Sequence, residues 1–191
     1  DLIAKLGAAR KAAATAEAVK KAERAKLDTL MKATLSKYEK SINRLLTNFG
    51  ASFSIEGMGA NIRGGAARSE YGLLLRGKTV ALEGGPPSFA TALSEGDKRT
   101  LAFAFFVATT LEDAELSKRT VVVDDPMCSL DANRKQHTKA VLKRLHAGAA
   151  QLVVLAHDPY FLRDLRDTLL KADQAAQISL LQLVLAANNY T

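Results

Sequence analysis

The 191-residue sequence predicts an α/β protein in which a long helix and a small antiparallel β-meander precede a parallel sheet with flanking helices. Three observations support this prediction. Residues 1–48 contain no proline and are rich in Ala, Lys, Leu and Glu, which favour helix. Residues 51–82 contain short β-like runs between glycine-rich turns. From residue 100 onward, apolar runs of strand length alternate with helical patterns, which is typical of a parallel sheet covered on both faces.

The first predicted element is the helix over residues 1–48, which we expect to end near Gly50. Its first half offers mainly alanine, a surface that suits close approach of a partner helix, so the helix is interpreted as one arm of an antiparallel coiled-coil hairpin. The alternative is an amphipathic helix that packs on its own domain. Its second half spaces apolar side chains three or four residues apart along one stripe, at Leu27, Met31, Leu35, Tyr38, Ile42, Leu45 and Phe49.

The remaining elements follow from shorter patterns and divide the chain in two. We expect a coiled-coil-type helix at 1–49 and an α/β part at 50–191, within which 50–90 is the β-meander. The predicted strands are Ser52–Ile55, Tyr71–Leu75, Thr79–Leu82, Thr120–Val123, Gln151–Leu155 and a last strand at Ile178–Leu185. The predicted helices are Thr100–Leu111, Ala132–Leu145 and Tyr160–Lys171, with a helix start at Leu93–Arg99.

Composition excludes several classes of protein. The longest apolar runs fall well short of the roughly 18 residues that a membrane span needs, so we expect no membrane partner. Cys128 is the single cysteine and no leader pattern opens the sequence, which favours the cytoplasm. The net charge is +7, of which residues 1–49 hold +6. Lys20, Lys21, Arg24 and Lys26 are therefore candidate contacts to a DNA or RNA backbone, although a solvated helix face is the commoner interpretation.

Two acidic residues follow the run Val121–Val123, where a buried strand is predicted to end. Ligands of open α/β sheets bind at the carboxyl ends of the strands. A carboxylate in this position suits Mg²⁺, and a neighbouring one suits polarisation of an attacking water. Asp124 is thus a candidate metal ligand and Asp125 a candidate catalytic residue. Pairs of Asp at strand ends also cap loops in proteins without nucleotide, so both interpretations stay open.

Three more positions place polar groups at the ends of predicted elements. Ser94 and Gly96 open a helix whose first N–H groups are free to face a phosphate, with the Ser94 hydroxyl as an added donor, although Ser94 also suits a plain N-cap. Asp131 directly precedes a predicted helix, where an N-cap is its ordinary role. His157 follows the second apolar strand, where it is placed to contact the same phosphate as the strand-ending acids, although an isolated histidine is more often structural.

In this order and spacing, the elements resemble the carboxyl-terminal lobe of an ABC-type ATPase head. The resemblance covers residues 90–165 and comprises a signature motif at Leu93–Asp97, a Walker B strand at Val121–Asp125, a D-loop at Ser129–Asp131 and the switch histidine His157. It implies ATP and Mg²⁺, with Asp124 serving the metal, Asp125 orienting water and His157 contacting the γ-phosphate. It also implies that Ser94, Glu95 and Gly96 bind the nucleotide of a second head, and that Asp131 couples the two sites.

The flanking residues narrow the resemblance. A long helix ahead of the signature is similar to the returning coiled-coil arm of the SMC and RecF-like branch, whose members act on DNA or RNA, and unlike transporter heads. Within that branch, Asn43–Phe53, Leu93–Gly96 and Asp124–Pro126 resemble the RloC and PrrC-type ATPases of phage defence.

Two departures from the ABC pattern matter. Asp125 stands where ABC heads usually have Glu, although the RloC-like group is similar in carrying Asp, and no Gly-x-x-x-x-Gly-Lys-Ser/Thr sequence occurs in the chain. We therefore expect this chain to be the second lobe of such a head, and an excised fragment rather than a naturally split head. On its own it should not hydrolyse ATP. Its expected partners are the N-terminal Walker A lobe and a second, ATP-sandwiched head. The alternative function is a nucleotide-gated interaction module with little turnover.

Overall fold

The computed structural model describes residues 2–61, 68–80, 89–126, 132–182, 185–186 and 189–190. The helices are α1 (Leu2–Asn48), α2 (Phe89–Ala92), α3 (Glu95–Leu111), α4 (Ala132–Gly148) and α5 (Pro159–Ala172), with a 3₁₀ turn at Leu116–Lys118. The strands are β1 (Phe53–Asn61), β2 (Arg68–Leu75), β3 (Lys78–Val80), β4 (Thr120–Asp124), β5 (Gln151–Leu155), β6 (Leu185–Ala186) and β7 (Asn189–Tyr190). Residues 62–65 of the Gly-rich turn expected at Gly57–Gly65, and the whole loop expected at Gly84–Pro87, lie outside the described residues.

Helix α1 has 47 residues and is therefore about 70 Å long. Its side chains are exposed as far as Leu30, and the predicted apolar stripe becomes fully buried only from Ile42 onward. The helix ends at Asn48, near Gly50 as predicted. Gly50 has a φ of 69°, and the N–H groups of Gly50 and Ala51 bond to carbonyls of the last turn. This is a Schellman cap, in which glycine adopts the left-handed conformation without a Cβ clash.

Strands β1 to β3 form the expected antiparallel meander, in the order β1-β2-β3. Strand β1 continues six residues past the predicted end at Ile55, to Asn61. A bulge between Glu56 and Gly59, with Gly57 at a φ of 65°, allows the strand to pass through the glycines that the sequence pattern placed in a turn. The segment of the third predicted strand after Val80 lies outside the described residues.

The base of α1 packs on this meander and on α3 within one continuous apolar core. Ring contacts join Phe49 to Phe103 at a centroid distance of 5.7 Å and Tyr71 to Phe105 at 5.2 Å. The core continues into the second half of the chain through Val121 and Val123 of β4 and through the inner faces of α4 and α5, at Val141, Leu142, Leu145, Phe161, Leu165 and Leu169. The candidate site therefore shares a core with the base of the long helix.

Strands β4 and β5 are parallel, as predicted, and Asp124 lies opposite Leu155. The prediction that helices cover both faces is wrong for the described residues. Val121 and Val123 are buried, but Val122 is 55% exposed and Leu155 is 46% exposed. Since side chains alternate along a strand and paired residues share a face, the open face carries Val122, Leu155 and Asp124.

The predicted last strand, Ile178–Leu185, is also wrong over most of its length. Residues 178–182 form no strand, and only Leu185 at its end belongs to one, the two-residue β6, which pairs with β7. A run of β-prone residues becomes a strand only when a neighbouring strand takes its hydrogen bonds. No described strand pairs with residues 178–182, and Leu181 is accordingly exposed.

Candidate functional site

The carboxyl ends of β4 and β5 bring together the three residues that the sequence predicted for one end of the sheet. Asp124 is the last residue of β4 and is exposed. Asp125 is half-buried, and its N–H donates to the Leu155 carbonyl at 2.9 Å, one step beyond the ladder. His157 follows two residues after Leu155 and is exposed. Both carboxylates and the imidazole thus lie at the same edge of the parallel pair.

Asp125 departs from ordinary backbone geometry. Its φ of 42° is in the left-handed region, which only glycine, and less often Asn and Asp, adopts readily. The backbone of Asp125 therefore leaves the extended conformation directly after the end of β4. Strained backbone of this kind is concentrated at functional sites, so the geometry is consistent with a role for Asp125 beyond packing.

The residue after His157 fixes the entry into α5. Asp158 is the N-cap, and its Oδ1 accepts hydrogen bonds from the N–H groups of Tyr160 at 3.0 Å and Phe161 at 3.2 Å. Pro159 follows in the first turn, where its fixed φ suits a helix start. The second carboxylate oxygen, Oδ2, accepts from Lys135 Nζ at 3.1 Å. The hydrogen bond from Lys135, reinforced by the backbone N–H of Phe161, lowers the pKa of Asp158.

The predicted signature residues open α3. Ser94 is its N-cap and accepts from the Asp97 N–H at 3.1 Å, as in the predicted capping arrangement. In a full capping box, the side chain of the third helical residue accepts from the backbone N–H of the N-cap residue. Here the Asp97 carboxylate instead accepts from the Ser94 hydroxyl, at 2.7 Å from Oδ2. The Ser94 hydroxyl therefore already has a partner for its proton.

Glu95 and Gly96 complete this first turn. The Glu95 carboxylate accepts from Lys98 at 2.7 Å, and this hydrogen bond lowers the pKa of Glu95. Gly96 has room for a side chain, since an added Cβ would meet only the Ser94 hydroxyl oxygen at 3.8 Å. Packing within the chain thus does not require glycine here, whereas close approach of an external group to the backbone would.

The start of α3 is linked to α4 through Arg134. Arg134 Nη1 donates to Thr100 Oγ1 at 3.4 Å, and Arg134 Nη2 lies 3.8 Å from Asp97 Oδ1. Ser94 and Gly96 therefore form a second group of candidate residues, which lies at the start of α3. Asp131, the predicted D-loop residue, lies outside the described residues.

The carboxylates at the end of β4 fit Mg²⁺ as it is bound in nucleotide sites. Mg²⁺ is usually held by one or two protein carboxylates together with water and substrate phosphates, and not by a complete protein cage. Asp124 and Asp125 supply two such groups. In the part of the chain that the structure describes, no group of three His, Cys, Asp or Glu residues could hold a metal ion alone. Binding of Mg²⁺ through one or two carboxylates, water and phosphate does not require such a group.

Sequence reasoning missed the roles of Lys135, Arg134 and Asp158. The signal for Asp158 was available, because Asp followed directly by Pro is a helix-start pattern. No local pattern gave the partner of Lys135, which is 23 residues away.

The basic residues of α1 lie on an exposed part of the helix. Lys20, Lys21 and Arg24 are exposed, whereas Lys26 forms an ion pair with Glu23 at 2.7 Å. Among the helices described, none is both long and apolar enough to cross a membrane.

A family described as AAA domain (AAA_13) matches residues 2–188, which is nearly the whole chain. The chain therefore belongs to this family of ATPase domains. No curated protein matches the sequence.

Solved structures with the same fold are heads of SMC proteins. The Smc head domain with a coiled coil and joint from Pyrococcus yayanosii matches with a TM-score of 0.53 and 17% identity, over 78% of this chain and 26% of that one. The Smc head domain from Pyrococcus furiosus, with an extended coiled coil and bound to the C-terminal domain of ScpA, matches with a TM-score of 0.53 and 14% identity, over 78% and 34%.

A third structure, from work on ATP-driven dimerization and DNA-stimulated activation of SMC ATPases, matches with a TM-score of 0.54 and 12% identity, over 86% of both chains. The fold is that of an ABC-type head with its coiled-coil helix, as the sequence predicted. The chain spans about a quarter to a third of the length of the two Pyrococcus chains.

Proposed function

We propose that this chain is the carboxyl-terminal lobe of an ABC-type ATPase head of the SMC and RecF-like branch, and that it takes part in ATP hydrolysis. The main support is the placement of Asp124, Asp125 and His157 at one edge of the parallel pair β4-β5. Ligands of open α/β sheets bind at this edge. Membership of an ATPase-domain family agrees with the same conclusion.

The three residues have separate proposed roles. Asp124 would hold Mg²⁺, which when bound neutralises charge on the phosphate oxygens. Asp125 would orient the attacking water and accept its proton. His157 would donate a hydrogen bond to the γ-phosphate, where it stabilises the charge that develops during transfer.

The second group of residues would act on the nucleotide of another head. Ser94 and the N–H groups of Glu95 and Gly96 lie at the start of α3, where a helix presents unpaired donors to an anion. Asp131 would couple the two sites. Two copies would then enclose two ATP molecules about a two-fold axis, so that each site needs both heads.

The P-loop would come from another lobe. No Gly-x-x-x-x-Gly-Lys-Ser/Thr sequence occurs in these 191 residues. We propose that an N-terminal Walker A lobe completes the head, that residues 50–191 form the lobe described here and that residues 1–49 form one coiled-coil arm. The chain alone would then bind no nucleotide tightly and would not hydrolyse it.

The test compares the chain, joined to its own Walker A lobe, with the Asp125→Asn variant. At matched ATP occupancy, the parent should hydrolyse ATP and the variant should bind ATP with at least about a hundredfold lower turnover, since the water loses its base. Glu115→Gln, which changes an exposed carboxylate ahead of the amino end of β4, is the matched control and should leave turnover unchanged. If the parent binds ATP and dimerises without turnover, the head is a nucleotide-gated interaction module instead.

Two finer proposals concern the subgroup of ATPases and the nucleic acid that the protein contacts. We propose that the protein is closest to the RloC and PrrC-type ATPases of phage defence, because it resembles them at Asn43–Phe53, Leu93–Gly96 and Asp124–Pro126. We also propose that the exposed cations Lys20, Lys21 and Arg24 contact a DNA or RNA backbone, whereas Lys26 contributes less because it is paired with Glu23. Affinity for duplex DNA or RNA should fall steeply with salt, and the triple Gln variant should have a shallower slope. Affinity that is independent of salt would contradict the proposal.

A further inference from the structure

The loop that holds His157 is attached to the first turn of α4. Asp158, the next residue, uses its two carboxylate oxygens for different purposes. Oδ1 caps α5 through the N–H groups of Tyr160 and Phe161, and Oδ2 accepts from Lys135 Nζ at 3.1 Å. The cap fixes the loop relative to α5, and the ion pair fixes it relative to α4.

The anchor on α4 is itself held from its other side. Arg134, the residue before Lys135, donates to Thr100 on α3 and lies 3.8 Å from the Asp97 carboxylate. Both cations lie in the first turn of α4, and both ion pairs are only partly exposed, with 25–36% of each carboxylate or cation side chain open to solvent. One turn of α4 therefore contacts both the start of α3 and the His157 loop.

We propose that Lys135 and Asp158 are positioning residues that hold His157 in the orientation needed at the nucleotide site. The inference rests on the proposed function of His157 and adds residues that no resemblance assigned. Without the Lys135–Asp158 pair, the cap would still start α5, but residues 156–158 would lose this ion-pair attachment to α4. An exposed histidine in a loop without this attachment samples more orientations, and misplacement by about 1 Å is enough to slow a chemical step by up to a hundredfold.

The fold contains a matched control pair. Lys139, one turn further along α4, is buried and forms an ion pair with Asp164 of α5. This second pair joins the same two helices, but Asp164 lies seven residues beyond His157 in sequence. A loss of helix packing alone would therefore follow from changing either lysine, whereas a loss of His157 orientation would follow from changing Lys135 only.

The experiment uses the complete ATPase and four variants. Lys135→Met removes the cation and keeps the apolar stem, Asp158→Ser keeps an N-cap oxygen and removes the bond to Lys135, Lys135→Arg restores the charge, and Lys139→Met is the control. We expect Lys135→Met and Asp158→Ser each to lower kcat about tenfold with KM for ATP unchanged within about twofold. Lys135→Arg should recover most of the turnover, and Lys139→Met should keep the parent kcat. A kcat for Lys135→Met no lower than that for Lys139→Met overturns the proposal.

A second measurement does not depend on turnover. With ¹³C in the histidine rings of the same protein, the His157 Cε1–Hε1 resonance should shift or broaden in Lys135→Met and Asp158→Ser and stay unchanged in Lys139→Met; His157→Gln identifies the peak. An unchanged His157 resonance in Lys135→Met overturns the proposal even if turnover falls. If the parent hydrolyses no ATP, the proposed function fails, and the resonance alone then decides whether the pair positions His157.

Discussion

The Ser94 hydroxyl has a single proton, for which the Asp97 carboxylate and a bound phosphate would compete. It accepts from the Asp97 N–H and so starts α3, and it donates to the Asp97 carboxylate at 2.7 Å. To donate to a phosphate, the hydroxyl must leave Asp97 Oδ2. Arg134, 3.8 Å from the other carboxylate oxygen, compensates part of the charge on Asp97 when that bond is lost. Capping and phosphate binding at Ser94 are therefore separable by mutation.

Ser94→Asn and Ser94→Ala should separate these two functions. Asn is as good an N-cap as Ser, so Ser94→Asn should keep the free energy of unfolding within about 0.5 kcal/mol, whereas Ser94→Ala should lose about 1 kcal/mol. Both variants should lose ATP turnover in the completed head. Urea unfolding gives the first quantity and steady-state hydrolysis the second. Full turnover in Ser94→Asn would mean that the hydroxyl serves only as a cap.

Asp113 makes the stability of the connection between α3 and β4 dependent on pH. The N–H of Glu115 donates to Asp113 Oδ1 at 2.8 Å and thereby lowers the pKa of Asp113, and Arg119 at 3.1 Å from Oδ2 lowers it further. A folded-state pKa below the ordinary 3.8 means that ionised Asp113 stabilises the fold above that pH. This stability is lost as the pH falls through the lowered folded-state value.

We expect Asp113→Asn to lower Tm by a constant amount above about pH 5 and by progressively less as the pH falls below about 4. Because the side chain is only partly buried, the difference should be small but measurable by thermal unfolding in matched buffers. A difference in Tm that stays the same from about pH 6 to about pH 3 would contradict the assignment of stability to the ionised carboxylate.

At the scale of elements, α1 is fixed to the meander by polar bonds as well as by its apolar stripe. Asn43 Nδ2 donates to the Ile55 carbonyl, and the Ile55 N–H donates to Asn43 Oδ1, both at 2.8 Å. Glu39 accepts from the Met58 N–H, also at 2.8 Å. These side chains pair backbone groups of β1 as a neighbouring strand would. The direction in which the long helix leaves the domain is thus set partly by Asn43.

Asn43→Ala should therefore be costly. It removes two hydrogen bonds and leaves a partly buried N–H and carbonyl without these partners, so we expect the free energy of unfolding to fall by about 2–3 kcal/mol. Thr29→Ala, which loses only a bond from an exposed hydroxyl to its own helix backbone, is the control and should change stability by less than about 0.5 kcal/mol. Chemical unfolding followed by far-UV circular dichroism measures both. Equal effects of the two variants would show that Asn43 does not hold α1 on β1.

Elements defined by local patterns were predictable, and those defined by a partner were not. The absence of proline and a glycine at position 50 were enough to place α1, and the apolar runs placed β4 and β5. The bulge in β1 needed the register against β2, and the missing strand at 178–182 needed a neighbour that no local pattern reveals. In the same way, the positions of Asp124, Asp125 and His157 followed from strand ends, whereas the bond between Lys135 and Asp158 depended on how α4 and α5 pack.

In the whole molecule, the open face of β4-β5 is the surface on which we expect the proposed Walker A lobe to pack. It presents Val122 and Leu155, which are 55% and 46% exposed, together with Asp124 of the candidate site. A shallow cavity of about 200 Å³ adjoins it, lined in part by Phe106, Thr120 and Val122. Burial of apolar strand residues of this kind under another layer stabilises the protein. A lobe that docks here would also close over the carboxylate end of β4.

Val122→Lys tests whether this face is the interface with the Walker A lobe. Val122 is exposed in this chain, so the substitution should leave its own unfolding midpoint nearly unchanged. Burial of a valine side chain contributes about 1.5–3 kcal/mol, so affinity for the separately produced lobe should fall at least about tenfold, as measured by sedimentation or calorimetry. Leu6→Lys, an equally exposed apolar site near the start of α1, is the control and should bind as the parent does, provided that the lobe is produced without its own coiled-coil arm. If Val122→Lys keeps the parent affinity, the lobe docks elsewhere and the open face serves another contact. If both variants lose affinity, docking involves α1 as well as the sheet.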